Sequence, residues 1–159
     1  VRQIPLTQDK VALVDDEDFS WLSHFKWNCR QSRGNLYAFS WIDGHCISMH
    51  RLILNPPREV SVDHKNGDGL DNRRGNIRFA TQSQNTANTQ RFRKGCSSQF
   101  KGVGWIKSRR KWLAYIRKDG QFKYLGRYRD EIEAARGYDK AATEMFGEFA
   151  YTNRMAGLL

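Results

Sequence analysis

The sequence predicts an α+β protein made of two small modules, each a set of short antiparallel strands followed by a helix. Three observations point there. Apolar residues alternate in short runs bounded by Asp-Gly and Gly-rich turns, the period of half-buried strands. One stretch, beginning at Asp130, carries apolar residues at sustained helical spacing. Charge is also divided unevenly: residues 1–80 hold 11 basic and 10 acidic side chains, whereas residues 81–159 hold 16 and 7. The chain has 159 residues, enough for one domain or two small ones and too few for a large multidomain enzyme. Its net charge of +10 predicts attraction to a polyanion, most commonly nucleic acid. With 39% hydrophobic residues a packed core is expected and wholesale disorder is not. No apolar run is long enough to span a bilayer, and Val1–Lys10 lacks the apolar core of a secretory signal. Three cysteines with no CxxC spacing argue against a disulfide framework or a Cys-rich zinc site and fit a reducing cytoplasm.

The elements follow in order. Val11–Val14 is a short apolar strand. Asp15 and Asp16 offer N-caps to a helix with Phe19, Leu22 and Phe25 at three-residue spacing. Residues 35–41 and 45–49 are strands around the Asp43-Gly44 turn. His50–Leu54 is a short helix ended by Asn55-Pro56-Pro57. A strand at 60–63, a Gly-rich loop at 66–72, a strand near 77–80 and a polar helix from about Thr81 to Phe92 complete the first half. In the second, residues 102–106, 111–117 and 122–128 are strands, with Asp119-Gly120 turning the last pair. Asp130 caps a helix whose Ile132, Ala135, Tyr138, Ala142 and Met145 share a face, and Gly147 stops it.

One constellation in the first half carries chemistry. Asp63 and His64 end a strand, Asn76 follows His64 by 12 residues, and Asn85 follows Asn76 by 9. Asp63 and Asn85 are hard oxygen donors suited to a Mg²⁺ that keeps most of its waters. His64 can act as a general base near neutral pH without a large pKa shift, and Asn76 can fix its tautomer. That set serves metal-assisted phosphodiester hydrolysis. Yet an Asp-His pair also arises by chance and loop asparagines are commonly turn formers, so the residues alone leave the two readings level. An EF-hand calcium loop fails on spacing, because Lys65 and Gly67 stand where oxygen ligands are needed. The histidines and cysteines show no paired zinc spacing.

The segments SMHRLIL, VDHKNGDGLDNRRGNIRFAT and SQNTAN resemble the HNH endonuclease family in its phage and intron-borne homing branch, over about residues 47–90. The resemblance implies a ββα-metal core, with Asp63 and Asn85 on a Mg²⁺ (or a substituting Mn²⁺), His64 as general base and Asn76 supporting it. Asn72, still within the Gly-rich loop, is read as loop-forming. His50 is read as packed or phosphate-contacting rather than catalytic. Residues 91–96 form a basic connection.

FKGVGWI, KWLAYIR, KYLGRY and EAARGYDKAATEMFGEFAYTN resemble an AP2 DNA-binding domain over about residues 97–153. That implies a three-stranded sheet on one helix, docking in the DNA major groove. Alternation turns Trp112, Ala114, Ile116 and Leu125 inward and Lys111, Leu113, Tyr115, Arg117 and Tyr124 outward, with Trp105 in the core. Gly104, Ile106 and Tyr115 stand where plant-type members place arginines or a charged residue, so their base code does not transfer.

The whole reads as a site-specific, Mg²⁺-dependent DNA endonuclease of homing type: residues 1–90 cut, and residues 97–153 position the cut. Its partner is double-stranded DNA, with no membrane, in the cytoplasm of a bacterial or phage-infected cell. The expected DNA contacts are Arg51, Arg74, Arg78, Arg91, Arg93, Lys94, Lys101, Lys107, Arg109, Arg110, Tyr115, Arg117 and Tyr124. The rival from another class is a DNA-binding regulator with a non-catalytic HNH core. A structural RNA-binding protein ranks below both, since the alternating sheet is read as lacking stacked aromatics.

Overall fold

Short strands need partners close in sequence, and the first 80 residues find them in hairpins. The computed structural model describes residues 1–32, 34–89 and 96–159. The chain is mixed α+β and divides into two compact units, Val1–Ala80 and Thr81–Leu159.

In the first unit, β1 (Arg2–Pro5) pairs antiparallel with β2 (Val11–Val14). Helix α1 (Asp16–Leu22) follows, acidic through its first turn, where the helix dipole favours negative charge. It stops at Leu22. Phe25, expected within it, lies beyond the helix and meets Trp27 edge-on at 6.2 Å, while Trp27 Nε1 donates to Leu22 O (2.9 Å). Strands β3 (Asn28–Ser32), β4 (Asn35–Ile42) and β5 (His45–Ser48) form an antiparallel sheet in the order β3-β4-β5. The Asp43-Gly44 turn has positive φ at both residues, as a tight hairpin requires. Helix α2 (Met49–Leu54) ends where Asn55 turns left-handed ahead of Pro56-Pro57. Strands β6 (Ser61–His64) and β7 (Ile77–Ala80) pair with Asp63 opposite Arg78 and His64 opposite Ile77. The core gathers Ile4, Val14, Leu22, Trp27, Met49 and Ile77.

In the second unit, helix α3 (Gln82–Ala87) opens with a reciprocal capping box between Thr81 and Gln84. It ends well short of Phe92, which lies outside the described residues. Strands β8 (Val103–Ile106), β9 (Lys111–Lys118) and β10 (Gln121–Tyr128) form a sheet in the order β10-β9-β8. Helix α4 (Glu131–Phe146), capped by the Asp130 side chain, covers one face. Ala134, Ala135, Tyr138, Ala142 and Phe146 are its buried residues, so the alanines let it lie close to the sheet. Ile132 is not on that face: it is 45% exposed, and Ala134 fills the first turn instead. Gly102 has φ +73°, and a Cβ there would collide with the Tyr138 ring. Ala114 and Ile116 point inward and Leu125 packs beside them, as the alternation predicts. Trp105, expected in the core, is exposed and leans on Trp112 at 4.9 Å.

The second compact unit begins at Thr81 and so includes α3. Ala87 is buried with Ile116, Tyr138, Ala142 and Phe146, and Ser83 Oγ accepts from Asp119 N–H at 3.0 Å. The second unit also runs past residue 153, since Leu158 packs against the Phe100–Val103 cluster.

Candidate active site

His64 closes β6, so strand pairing with Ile77 sets its backbone and the loop of residues 65–76 sets its surroundings. That loop is built by its own polar groups. Asn66 Oδ1 accepts from Asp68 N–H, and Asp68 Oδ1 accepts from Leu70 N–H, both at 2.9 Å: two successive Asx turns. Asp71 is buried and receives a bidentate Arg73 guanidinium at 2.6 and 2.7 Å, with Asn66 Nδ2 donating to it as well. Those hydrogen bonds from Arg73, the largest cause, hold the Asp71 carboxyl below the usual carboxylate range. The loop is moored to β2, where Leu13 N–H donates to Leu70 O and Asn72 N–H donates to Leu13 O. At Gly69 the backbone passes so close to Tyr37 that a Cβ would sit 2.5 Å from the ring.

The mooring presents Asn72 to the imidazole. Asn72 is fully buried; its Nδ2 donates to Leu70 O (3.1 Å), and its Oδ1 lies 3.5 Å from His64 Nε2. Because the amide nitrogen is committed to a carbonyl, the oxygen faces the ring. An acceptor there places the proton on Nε2 and the lone pair on Nδ1. The 3.5 Å separation is at the outer limit of a hydrogen bond, a length that catalytic pairs often show before substrate binds. Desolvation by burial lowers the His64 pKa below its ordinary value and outweighs the opposing pull of Asn72, Asp63, Asp68 and Asp71. The ring is therefore neutral at neutral pH, the protonation state a base requires.

Asn76 does something else. Its Oδ1 accepts from Asn66 N–H (3.1 Å), while its Nδ2 donates to Asn66 Oδ1 (3.0 Å) and to Asp71 O (2.7 Å). Both amide protons are engaged, so Asn76 clasps the two ends of the loop, and the expected support of the imidazole passes to Asn72. Two further side chains that sequence reasoning left out of the site complete the packing. His50 stands edge-on to His64 with ring centroids 4.9 Å apart, and Tyr37 meets both rings at 5.8 and 5.9 Å. His50 Nε2 bonds Ser48 Oγ at 3.0 Å, and burial, then His64 and Arg51, depress its pKa to about 3. No spacing rule signals this packing; it comes from β4 and α2 folding over the hairpin.

Asp63 is buried beside His64, and Arg78, its cross-strand partner, sets its Oδ2 through Nε (3.0 Å) and Nη2 (2.9 Å). Arg78, expected as a DNA contact, is a partner of Asp63. Arg74 likewise grips buried Asp18 (2.7 and 2.8 Å) and Glu17 (2.9 Å). Arg51 caps the Pro57 and Val60 carbonyls at 3.2 and 2.8 Å. These three arginines hold loops and helices together.

In the second unit Asn85 sits on α3, its N–H donating to Thr81 O. Lys101, expected as a DNA contact, points into its own unit. Its ammonium is buried and donates to Ala87 O (2.6 Å), Thr89 O (2.9 Å) and Tyr151 O (3.3 Å), three carbonyls for three N–H groups. Burial lowers its pKa to about 8. Lys107, Arg109, Arg110, Arg117 and Tyr124 are exposed and Tyr115 is partly so, while Arg91, Arg93 and Lys94 lie outside the described residues. The outward face does carry stacked aromatics, contrary to expectation: Tyr115 and Phe122 lie 5.2 Å apart at 22°.

The site thus combines a strand-end Asp-His pair, a clasped asparagine loop and a second, half-buried histidine. No protein-family model matches the chain. It is similar to an uncharacterized HNH endonuclease of Acanthamoeba polyphaga mimivirus, 32% identical over 150 residues, which is 91% of this chain and 75% of the relative. The chain belongs to the HNH endonuclease family. This HNH family member is also similar to protein 3.8 of Escherichia phage T7, 29% identical over 94 residues, 59% of this chain and 76% of that protein. Among the described residues no helix of this HNH protein is long and apolar enough to cross a membrane. Membership of that family supports a nuclease.

Proposed function

We propose that this HNH family member is a site-specific DNA endonuclease of homing type that hydrolyses phosphodiester bonds with a divalent cation, Mg²⁺ or a substituting Mn²⁺. In this reading the β6–β7 hairpin belongs to a ββα-metal core, and the sheet of the second unit is an AP2-like module that docks on double-stranded DNA. The proposed setting is the cytoplasm of a bacterial or phage-infected cell. The observation that carries the reading is the buried, neutral His64 with Asn72 Oδ1 at its Nε2 and Asp63 beside it.

The donor chemistry fits a hard cation. Asp63 is a buried carboxylate whose Oδ2 is oriented by Arg78. Among the described residues no three His, Cys, Asp or Glu side chains gather into a metal-binding group. A cation sharing its shell with water and substrate phosphate, as Mg²⁺ does, suits one carboxylate better than an all-protein cage would. Asp63 would hold the ion; Asn85 is proposed as a second ligand on the resemblance alone. When bound, such an ion supplies Lewis acidity to the phosphate and the leaving oxygen. The chain's own part is the proton: His64 Nδ1 takes one from the attacking water while Asn72 keeps Nε2 protonated and the ring in place. Asn76 holds the loop that carries Asn72. Lys107, Arg109, Arg110 and Arg117, with Arg91, Arg93 and Lys94 of the connection, neutralise phosphates, and Tyr115 and Tyr124 meet the DNA from the outward sheet face.

Incubating supercoiled plasmid with the protein, in Mg²⁺ and in chelator, tests this directly. Relaxed or linear product in Mg²⁺ alone is the expected result. An intact plasmid bound by the protein in both would favour the rival, a DNA-binding regulator.

A further inference from the structure

The sheet of the second unit has one face filled by helix α4 and one face open. Cross-strand register settles what stands on the open side. Tyr115 pairs with Tyr124, Arg117 with Phe122, and, past the bulge at Leu125, Leu113 with Arg127. Phe122 and Tyr124 are 53% and 52% exposed, and the Tyr115 and Phe122 rings stack on each other with centroids 5.2 Å apart at 22°. Beside it the Arg127 guanidinium lies 5.7 Å from the centre of the Tyr124 ring. Asp119, at the hairpin tip, is the single acidic residue between positions 97 and 129.

Nothing in the core calls for these rings. The buried clusters of this unit use Phe100, Val103, Ala114, Ile116 and the α4 side chains, all on the other face. Phe122 has no polar atom, so it cannot form hydrogen bonds to the base edges that carry sequence in a duplex groove. Its flat surface can be used by another flat surface, and bases inside a duplex already stack on each other. Bases of an unpaired strand stack only loosely and can turn a face to the protein, and cationic side chains beside aromatic rings suit such a strand's phosphates and π-faces together.

We infer that the outward face of β9 and β10 is a stacking platform for unpaired DNA, with Phe122–Tyr115 and Tyr124–Arg127 each receiving a base and Arg117 a neighbouring phosphate. The choice of DNA rests on the nuclease reading; the platform itself rests on the rings and their charge.

The test uses the full chain in chelator, where no cleavage occurs. Anisotropy of a labelled oligothymidylate is compared with that of a duplex of equal length, and fluorescence of 2-aminopurine within a single strand reports stacking directly. The expected outcome is single-strand binding with a stacking-dependent 2-aminopurine change. Phe122→Ala and Tyr124→Ala should each weaken that binding by about 5- to 150-fold, with the salt slope unchanged, and Phe122→Tyr should restore it. Both positions are exposed, so circular dichroism should show an unaltered fold. Single-strand binding equal to wild type in the double variant would overturn the platform. So would a 2-aminopurine signal that does not change when the single strand binds, or a change in self-association alone. Plasmid cleavage in Mg²⁺, measured on the same samples, separates the two readings: cleavage without stacking removes the platform, and stacking without cleavage removes the nuclease.

Discussion

In the first unit four arginines turn to partners within the unit. Arg73 holds Asp71, Arg74 holds Asp18, Arg78 holds Asp63, and Arg51 is tied to two carbonyls. In the second unit Lys107, Arg109, Arg110 and Arg117 face solvent on and around an open sheet. Both units are rich in basic side chains, but they use them for different ends. The first unit balances charge to fix a polar loop around one imidazole, since a buried charge must be paired to be tolerated. The second leaves its charge unbalanced, and an excess positive field suits a polyanion. Side-chain partners, not the count of lysines and arginines, set the two units apart.

The variant expected to separate the two units most strongly is His64→Ala. Loss of a general base costs roughly two to four orders of magnitude in rate, so plasmid cleavage should fall by at least about a hundredfold while DNA affinity holds. The wild-type rate should stay level through neutral pH and fall only on the acid side of the ordinary histidine value. Burial lowers the His64 pKa, so the base form persists into acid. Near-normal cleavage by the variant would make His64 a packing residue.

The opposite half of the comparison is tested by replacing Lys107, Arg109, Arg110 and Arg117 together with alanine. Duplex affinity at moderate salt should fall on the order of a hundredfold, and the slope against log salt should shrink by about 0.9 for each phosphate that is no longer neutralised. Arg74→Ala is the matched control from the first unit. It should lower the melting temperature, because buried Asp18 loses its partner, and leave the salt slope alone. A slope that moved with Arg74 and not with the four exposed residues would invert the assignment of the two units.

How much of the fold and the site was legible in the sequence depended on whether the deciding interaction was local. The Asp43-Gly44 and Asp119-Gly120 turns, the Asn55 stop and the outward Tyr124 follow from neighbouring residues, and the structure has them where the sequence predicts. Phe122 was within reach of the same alternation, two positions from Tyr124. Lys101 was not: in the sequence it sits in a basic run, and only the return of residues 87–89 and 151 brings three carbonyls to its ammonium. The partners of Arg74 and Arg78 were equally hidden, because Asp18 and Asp63 lie 56 and 15 residues away. Within the site, the Asp63-His64 pair could be picked out by residue type, but the choice between Asn72 and Asn76 could not. It turns on the mooring of the loop to Leu13, which no spacing encodes.

That choice is the smallest and sharpest test of how the first unit works. Asn72→Ala removes the acceptor at His64 Nε2, so the proton and the basic lone pair are no longer assigned to fixed nitrogens. Cleavage by the folded protein should drop by about 10- to 100-fold, the usual cost of losing a partner that orients an active imidazole, with affinity for DNA unchanged. Asn76→Ala removes three hydrogen bonds that close the loop and none to the imidazole. It should cost stability on the order of 1–3 kcal/mol, seen as a lower midpoint in urea. Its cleavage rate should approach wild type when measured cold, where the loop is closed. The two variants thus split chemistry from scaffold inside a single loop. If Asn72→Ala cleaves normally, while Asn76→Ala stays slow in the cold at unchanged stability, then Asn76 supports the base and the approach of Asn72 to 3.5 Å is incidental.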